Sequence, residues 1–525
     1  MSAVAGTYAR LRLTDPGRWQ AAAAAWRGWA GLGGRWGATL APLAARLANA
    51  WSGAAAAAAL VRLALWRRVL DLFRMLCWEV DQALSEFAAA LTRARILLTR
   101  ARSAAARAGL TVDDRGRVIA MQAPAGGVAE PATARQATAD LTAALTVAET
   151  ADAAAAGRLT EVAAMAATGP PPRPGTLPSC TATPAEVRRW WDGLSPAQRR
   201  WLVVTDAAWL GALDGVPVEF RDAANRLLLD RRRDDLDAAA MAAHSRERHR
   251  LDELRRGLRA LSDRLAGDDG PRAYLLRLDS AGDGRVVVAL GDPDRAANVL
   301  THVPGMTADL GSAGGELSRA ERVAVRAAEL GPAASTSTVM WLDYDAPDFV
   351  DEAASTGRAR AGAAALRHFQ DGLRATHDGG AHLTVLGHSY GSLVVGRASA
   401  EPGLAADDVV FVGSPGVGVD RAADLHTPAG HVWSTTSRSD VIEYTAVAPA
   451  GVLCDLVTAG RIPVIGPAVA FATPEDDLWF GRNPSDPSFG AEVFRSQADA
   501  GHVGYWDPGR PALDAITRIA LGATP

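Results

Sequence analysis

The sequence has no lysine; all 55 residues of its basic set are arginine. Alanine and glycine are abundant as well, so the bias reads as coding-sequence composition. Arginine clusters alone therefore do not argue for phosphate or nucleic-acid binding in this chain. Cysteine is scarce: Cys77, Cys180 and Cys454 are odd in number, far apart and without metal-ligand spacing, which excludes a disulfide framework and a structural zinc site. Long apolar runs are missing too. The best stretch, Gly53 to Trp66, is mostly alanine and is broken by Arg62, short of the roughly 18 uninterrupted apolar residues of a spanning helix. The beginning lacks a basic segment followed by an apolar core, so no Sec signal peptide is expected. The cytoplasm is the default compartment, with non-Sec export left open.

What is present points to a globular protein. A chain of 525 residues exceeds one ordinary core, so two or three domains are expected. Hydrophobic residues at 48% and charged residues at 22% fit a globular rather than a disordered chain. The net charge of −4 is unevenly spread: between Thr14 and Leu110 there are 13 Arg against 5 Asp and Glu. Such a basic helical end reads first as a solvated face, and it leaves open contact with an acidic partner or a membrane surface.

Residues from about Pro16 to Ala108 read as helix, with interruptions expected around Gly31 to Gly37 and at Trp51-Ser52-Gly53. A polar turn at Asp113-Asp114-Arg115-Gly116 suggests a small hairpin, and Pro131 to Ala167 a further helix. Gly169-Pro170-Pro171-Pro172-Arg173-Pro174-Gly175 continues no helix and marks a linker. A tryptophan-bearing helical block follows, with Trp190-Trp191, Trp201 and Trp209, then one long charged helix to about Ala266. In that helix His244 and His249 are five residues apart and do not share a face as metal ligands would. The expected division is a helical region 1–168, a proline-rich linker 169–183, a helical cap or extension 184–270 and a catalytic domain 271–525.

From Tyr274 short β-branched runs alternate with alanine-rich helical stretches: Val286 to Val288, Val299 to Val303, Ser337 to Leu342, Leu383 to Leu386, Val409 to Val412 and His431 to Trp433. This alternation predicts an α/β fold with a mostly parallel sheet covered by helices.

The chemistry-bearing motif is Gly387-His388-Ser389-Tyr390-Gly391, with a strand running in and the small-residue helix Ser392 to Gly396 running out. A Gly-x-Ser-x-Gly turn between strand and helix lifts the serine hydroxyl out of the sheet end and aims the next backbone N–H, that of Tyr390, at a developing oxyanion. Ser389 then needs a base, and the base needs an acid, in the chain order serine, acid, histidine. After Ser389 only His426, His431 and His502 remain. The first two lie at or before a strand, whereas His502 follows the last strand-like run, Ala491 to Phe494, where the base belongs. Asp440, beyond the strand His431 to Thr435, is the leading acid, ahead of Asp420, Glu443, Asp476 and Asp477. A second oxyanion donor is expected from Pro304-Gly305-Met306-Thr307, with the Met306 N–H first and Thr307 second. Gly311-Ser312-Ala313-Gly314-Gly315 lacks the lysine of a phosphate loop, and no cofactor or metal is expected.

Trp190 to Pro196, Leu213-Asp214-Gly215-Val216-Pro217, Arg221 to Arg226, Leu386 to Ser392, Val412 to Gly416 and His502 to Gly509 together resemble the actinobacterial α/β-hydrolase family known as a domain of unknown function. The resemblance runs from about Pro184 to the end of the sequence. It implies a hydrolase fold and the set Ser389, Asp440 and His502, without a substrate. Trp51-Ser52-Gly53 between two helices resembles the WXG-motif hairpin proteins of type VII secretion. The expected activity is serine-dependent cleavage of a small-molecule or lipid carboxylic ester. The alternatives are an amidase, thioesterase or acyltransferase using the same residues, or a secreted interaction protein. No nucleic-acid partner is expected.

Overall fold

The computed structural model describes residues 3–114, 116–120, 131–165, 174–179, 181–242, 244–267, 270–348, 356–401, 403–440, 442, 477–478 and 480–525. The chain forms two compact units, one built on Met1–Pro171 and the other on Pro172–Pro525 apart from the loop Gly331–Ala334. Residues 169–173 of the expected linker, along with Cys180 and Cys454, lie outside the described residues.

The first unit is helical: α1 (Ala3–Leu13), α2 (Pro16–Ala50), α3 (Ala54–Arg107) and α4 (Pro131–Met165), with a two-stranded ribbon of β1 (Leu110–Val112) and β2 (Val118–Ala120). Asp15 starts α2 by accepting the Gly17 N–H at 2.9 Å, a favoured helix N-cap. α2 and α3 form an antiparallel hairpin around Trp51-Ser52-Gly53, where Gly53 takes φ 102°. The break expected at Gly31 to Gly37 does not occur, and α2 runs through it. Gly33 instead serves packing: a Cβ there would meet the Arg74 Cγ at 2.9 Å, so the missing side chain lets α3 approach. Tyr8, Leu91, Leu97, Leu141 and Leu145 form the core shared by α1, α3 and α4. Between α2 and α3 Arg27 meets Asp81 at 2.8 Å, and the Ser85 hydroxyl donates to the same carboxylate at 3.1 Å.

The second unit opens with α5 (Pro184–Asp192), α6 (Pro196–Thr205) and α7 (Ala207–Leu210). Reciprocal capping boxes start α5 (Thr183 with Glu186) and α6 (Ser195 with Gln198). The single long charged helix expected next is two, α8 (Val218–Ala242) and α9 (Ser245–Ala266). The strands β3 (Ala273–Asp279), β4 (Arg285–Leu290), β5 (Asn298–Val303), β6 (Thr336–Leu342), β7 (His382–His388), β8 (Asp408–Val412), β9 (Val432–Thr435) and β12 (Glu492–Val493) form one eight-stranded sheet. Its order is β12-β9-β8-β7-β5-β6-β4-β3, parallel except that β4 runs antiparallel to both neighbours. The remaining elements are α10 (Ala313–Leu330), α11 (Gly357–Thr376), α12 (Tyr390–Ala400), α13 (Pro511–Ala520) and a ribbon of β10 (Asp477–Leu478) with β11 (Gly481–Arg482). Both sheet faces are buried, which explains strands such as β5 and β8 that are buried at every position rather than at alternate ones.

The charged helix α8 that follows the tryptophan-bearing block is joined to this sheet by buried polar side chains. Asp222 accepts the Leu275 N–H at 2.8 Å, and Arg226 donates to the Ala273 carbonyl at 2.7 Å, so α8 occupies the hydrogen-bonding groups of the edge strand β3. Asp294 accepts the Val218 N–H at 2.7 Å and the Thr376 hydroxyl at 2.5 Å. Asp294 precedes β5 and Thr376 precedes β7, so these anchors sit at the amino-terminal ends of the parallel strands. The extension thus braces the sheet edge and the end opposite the carboxyl ends, where the Gly387 to Gly391 turn lies.

Candidate active site

β7 ends at His388 and α12 begins at Tyr390, leaving Ser389 as the single residue of a sharp turn. Its backbone has φ 54° and ψ −129°, a left-handed-side conformation that a residue with a Cβ adopts at a cost of about 1–3 kcal/mol. The strain is held from both sides. The Ser389 N–H donates to the Val412 carbonyl at 3.1 Å, and the Ser389 carbonyl accepts the Ser392 N–H at 2.9 Å. A Cβ on Gly391 would lie 2.2 Å from the Val303 carbonyl oxygen, so only glycine lets the helix start this close to β5.

Two loops converge on this turn. The loop after β5 passes directly over the serine: a Cβ on Gly305 would lie 2.6 Å from the Ser389 Cβ and 3.1 Å from its Oγ. Tyr344, just after β6, ties that loop down by donating to the Pro304 carbonyl at 2.7 Å. Within it the Thr307 N–H donates to the Pro347 carbonyl at 2.9 Å, while Met306 makes no backbone N–H hydrogen bond among the described residues. Tyr390, as the first residue of α12, presents its N–H at the positive end of the helix.

On the other side Asp440 and His502 meet. His502 Nδ1 lies 2.9 Å from Asp440 Oδ1 and 3.0 Å from Oδ2. Since the carboxylate accepts, Nδ1 carries the proton and Nε2 is the free basic nitrogen. Asp440 is fully buried, and its remaining bonds come from the Tyr505 hydroxyl at 2.6 Å and the Ile442 N–H at 3.0 Å. Burial opposes protonation of His502, but the charge and hydrogen bond of Asp440 outweigh it and push the pKa above the usual 6.5.

His388 links the two sides. It adjoins Ser389, donates from Nε2 to the His502 carbonyl at 2.8 Å, and packs its ring 4.8 Å from the His502 ring. Trp506 closes the same cluster edge-on at 4.9 Å. Burial first, then the neighbouring His502 charge, holds His388 well below the usual imidazole range, so it stays neutral. His302 is likewise neutral: burial, reinforced by Arg319, lowers its pKa to about 3. Neither ring is suited to be the base. The Ser389 Oγ makes no hydrogen bond among the described residues, and a serine–histidine contact of this kind commonly tightens only when substrate is bound.

The other sequence candidates lie elsewhere. His431 bonds Asp408 at 2.9 Å, at the amino-terminal ends of β8 and β9, and the exposed His426 lies in the connection between these two strands. Asp420 is exposed and accepts the Arg482 N–H at 3.3 Å. Asp477 begins the β10–β11 ribbon. Glu443 and Asp476 lie outside the described residues. Sequence reasoning missed two side chains, Tyr505 on Asp440 and Tyr344 on the loop after β5. Tyr505 had a signal, since it stands three residues after His502 on one short turn, whereas Tyr344 had none. Among the described residues no group of His, Cys, Asp and Glu is arranged to hold a metal ion.

A family model described as alpha/beta hydrolase matches residues 279–450. The uncharacterized protein Rv2079 of Mycobacterium tuberculosis is 31% identical over 393 residues, covering 67% of this chain and 58% of that protein. The uncharacterized protein Mb0988c of Mycobacterium bovis is 35% identical over 199 residues, covering 36% of this chain and 74% of the relative. The match thus spans only 58% of the length of the first of these relatives. No solved structure matches the chain.

Proposed function

The chain belongs to the α/β-hydrolase family, and on that footing we propose that it is a serine hydrolase cleaving a carboxylic ester through an acyl-enzyme on Ser389. The observation that carries this reading is the strained Ser389 turn, which sits under Gly305 on one side and beside the His502–Asp440 pair on the other. A strained serine at the carboxyl end of a central strand gains nothing for packing, whereas an exposed nucleophile requires that position.

In this reading Ser389 Oγ attacks the ester carbonyl carbon while His502 Nε2 takes its proton. The tetrahedral oxyanion is stabilised by the Met306 and Tyr390 N–H groups. His502 then protonates the leaving alkoxide, the C–O bond breaks and the alcohol departs, leaving the acyl group on Ser389. Water, deprotonated by His502, attacks this ester; collapse of the second tetrahedral intermediate releases the carboxylic acid and restores the serine hydroxyl. Asp440 keeps the imidazole in the Nδ1–H tautomer and stabilises the imidazolium. Tyr505 and the Ile442 N–H in turn hold Asp440 in place. A small-molecule or lipid ester is the substrate class. The test is a panel of p-nitrophenyl esters of rising acyl length together with a fluorophosphonate probe. Turnover with stoichiometric labelling of Ser389 supports the reading, and an inert, unlabelled protein rules it out.

A further inference from the structure

The helical hairpin carries an apolar surface that its own unit leaves uncovered. Trp29, Trp36 and Trp66 are each more than half exposed, and Trp26 and Trp51 are 40% and 46% exposed. Trp26, Trp29, Trp36 and Leu43 follow spacings of three and seven residues and therefore line one side of α2. On α3, Val61, Leu65, Val69 and Phe73 recur every four residues and are also exposed. Phe73 lies beside Gly33, where a Cβ would be 3.2 Å from its ring, so the α3 stripe runs alongside α2. Exposed aromatic area on this scale is rare on a soluble surface without a binding role.

The charge of the same region is entirely of one sign. Between Pro16 and Leu70 there are seven arginines and no aspartate or glutamate. Composition explains arginine in place of lysine, but it does not explain the lack of acids here, since acids outnumber basic residues in the chain as a whole. Arg35, Arg46 and Arg62 are exposed, and Arg62 lies over the Trp66 ring at 5.9 Å. Tryptophan with arginine, spread along some 25 residues of helix, is the pattern of a helix lying in a lipid interface. No described helix is long and apolar enough to cross a membrane.

We propose that the α2–α3 hairpin docks lengthwise on an anionic phospholipid surface, its tryptophans at the acyl boundary and its arginines on the headgroup phosphates. A second copy of the chain fits less well, because pairing two such faces sets arginines against arginines without a compensating acid. The proposal stands on the first unit alone and is independent of the esterase reading. It is tested by co-sedimentation of the full chain with vesicles of phosphatidylcholine alone and of phosphatidylcholine with phosphatidylglycerol in equal parts. The expected result is binding to the anionic vesicles with a blue-shifted tryptophan emission, at least tenfold weaker on neutral vesicles and weakened by salt. The triple variant Arg35→Glu, Arg46→Glu, Arg62→Glu and the double variant Trp36→Ser, Trp66→Ser should each lose at least tenfold in binding. Their helical circular dichroism and unfolding midpoint should match those of the parent, since all five side chains are exposed. Failure to bind anionic vesicles, equal binding to neutral ones, or a stable dimer that forms in place of vesicle binding would each overturn it.

Discussion

Tryptophan behaves oppositely in the two units. Trp191, Trp341 and Trp506 are fully buried in the sheet-containing unit, whereas the hairpin leaves Trp29, Trp36 and Trp66 half in solvent. The difference lies in the available partners. A parallel sheet covered on both faces, as β5, β7 and β8 are, offers a large side chain contact on every side. A two-helix hairpin has one seam, and here that seam is filled by small residues, Ala23, Ala30, Gly33 and Gly37. Large side chains on α2 are pushed to its flanks. One unit thus packs its aromatics around the sheet, and the other displays them.

The comparison breaks most sharply at the serine. Ser389→Ala should abolish ester turnover, by on the order of 10⁴- to 10⁶-fold, and remove fluorophosphonate labelling while leaving the fold intact. Labelling of the alanine variant at the parent level would place the nucleophile elsewhere. Asp440→Asn should cost up to about 10⁴-fold, because the wrong His502 tautomer is then favoured. The same variant sharpens the pH dependence. The base must be neutral, and Asp440 raises the His502 pKa above 6.5, so kcat/KM in the parent should fall as pH drops through that raised value. Without the carboxylate charge the inflection should move to lower pH. An inflection that stays in place would mean that another group titrates.

A stability pair tests the comparison directly. Trp341→Ala, in the sheet core, should destabilise its unit by about 3–5 kcal/mol, read from denaturant midpoints. Trp36→Ala should change stability by no more than about 0.5 kcal/mol. Equal losses would show that the hairpin surface is covered after all. Tyr505→Phe removes one hydrogen bond to Asp440 and one from the Ser437 N–H, which the Tyr505 hydroxyl accepts at 2.8 Å. It should lower kcat roughly tenfold with KM little changed, since bonds to charged groups contribute about 1.5–3 kcal/mol and the Ile442 N–H remains.

What could be read in advance divides by sequence distance. The strand–serine–helix turn is local: Gly387, Ser389 and Gly391 within five residues, flanked by β-branched residues before and small ones after, set both the elbow and its strain. The ribbon around Asp113 was legible for the same reason. Misreadings arose where a residue's meaning lay in a distant partner. Gly31 to Gly37 looks like a break because glycine is a poor helix former, yet α3 lies against Gly33 and the close packing overrides propensity. Asp222 and Asn225 likewise have partners distant in sequence, the Leu275 N–H and the Leu275 carbonyl of the edge strand.

The sequence by itself therefore determined the α/β alternation, the strained turn at Ser389, the hairpin turn at Trp51 to Gly53 and the acid-free stretch between Asp15 and Asp71. Only the tertiary structure brought His502 to Asp440 across 62 residues, set Tyr505 behind the carboxylate, and laid Gly305 over Ser389 under the hold of Tyr344. The reason is physical. Backbone turns and helix starts are chosen by side chains a few residues apart, whereas a buried carboxylate is set by whatever donors the folded sheet brings to it. Those donors come from loops at the carboxyl ends of strands that are neighbours in space and not in sequence.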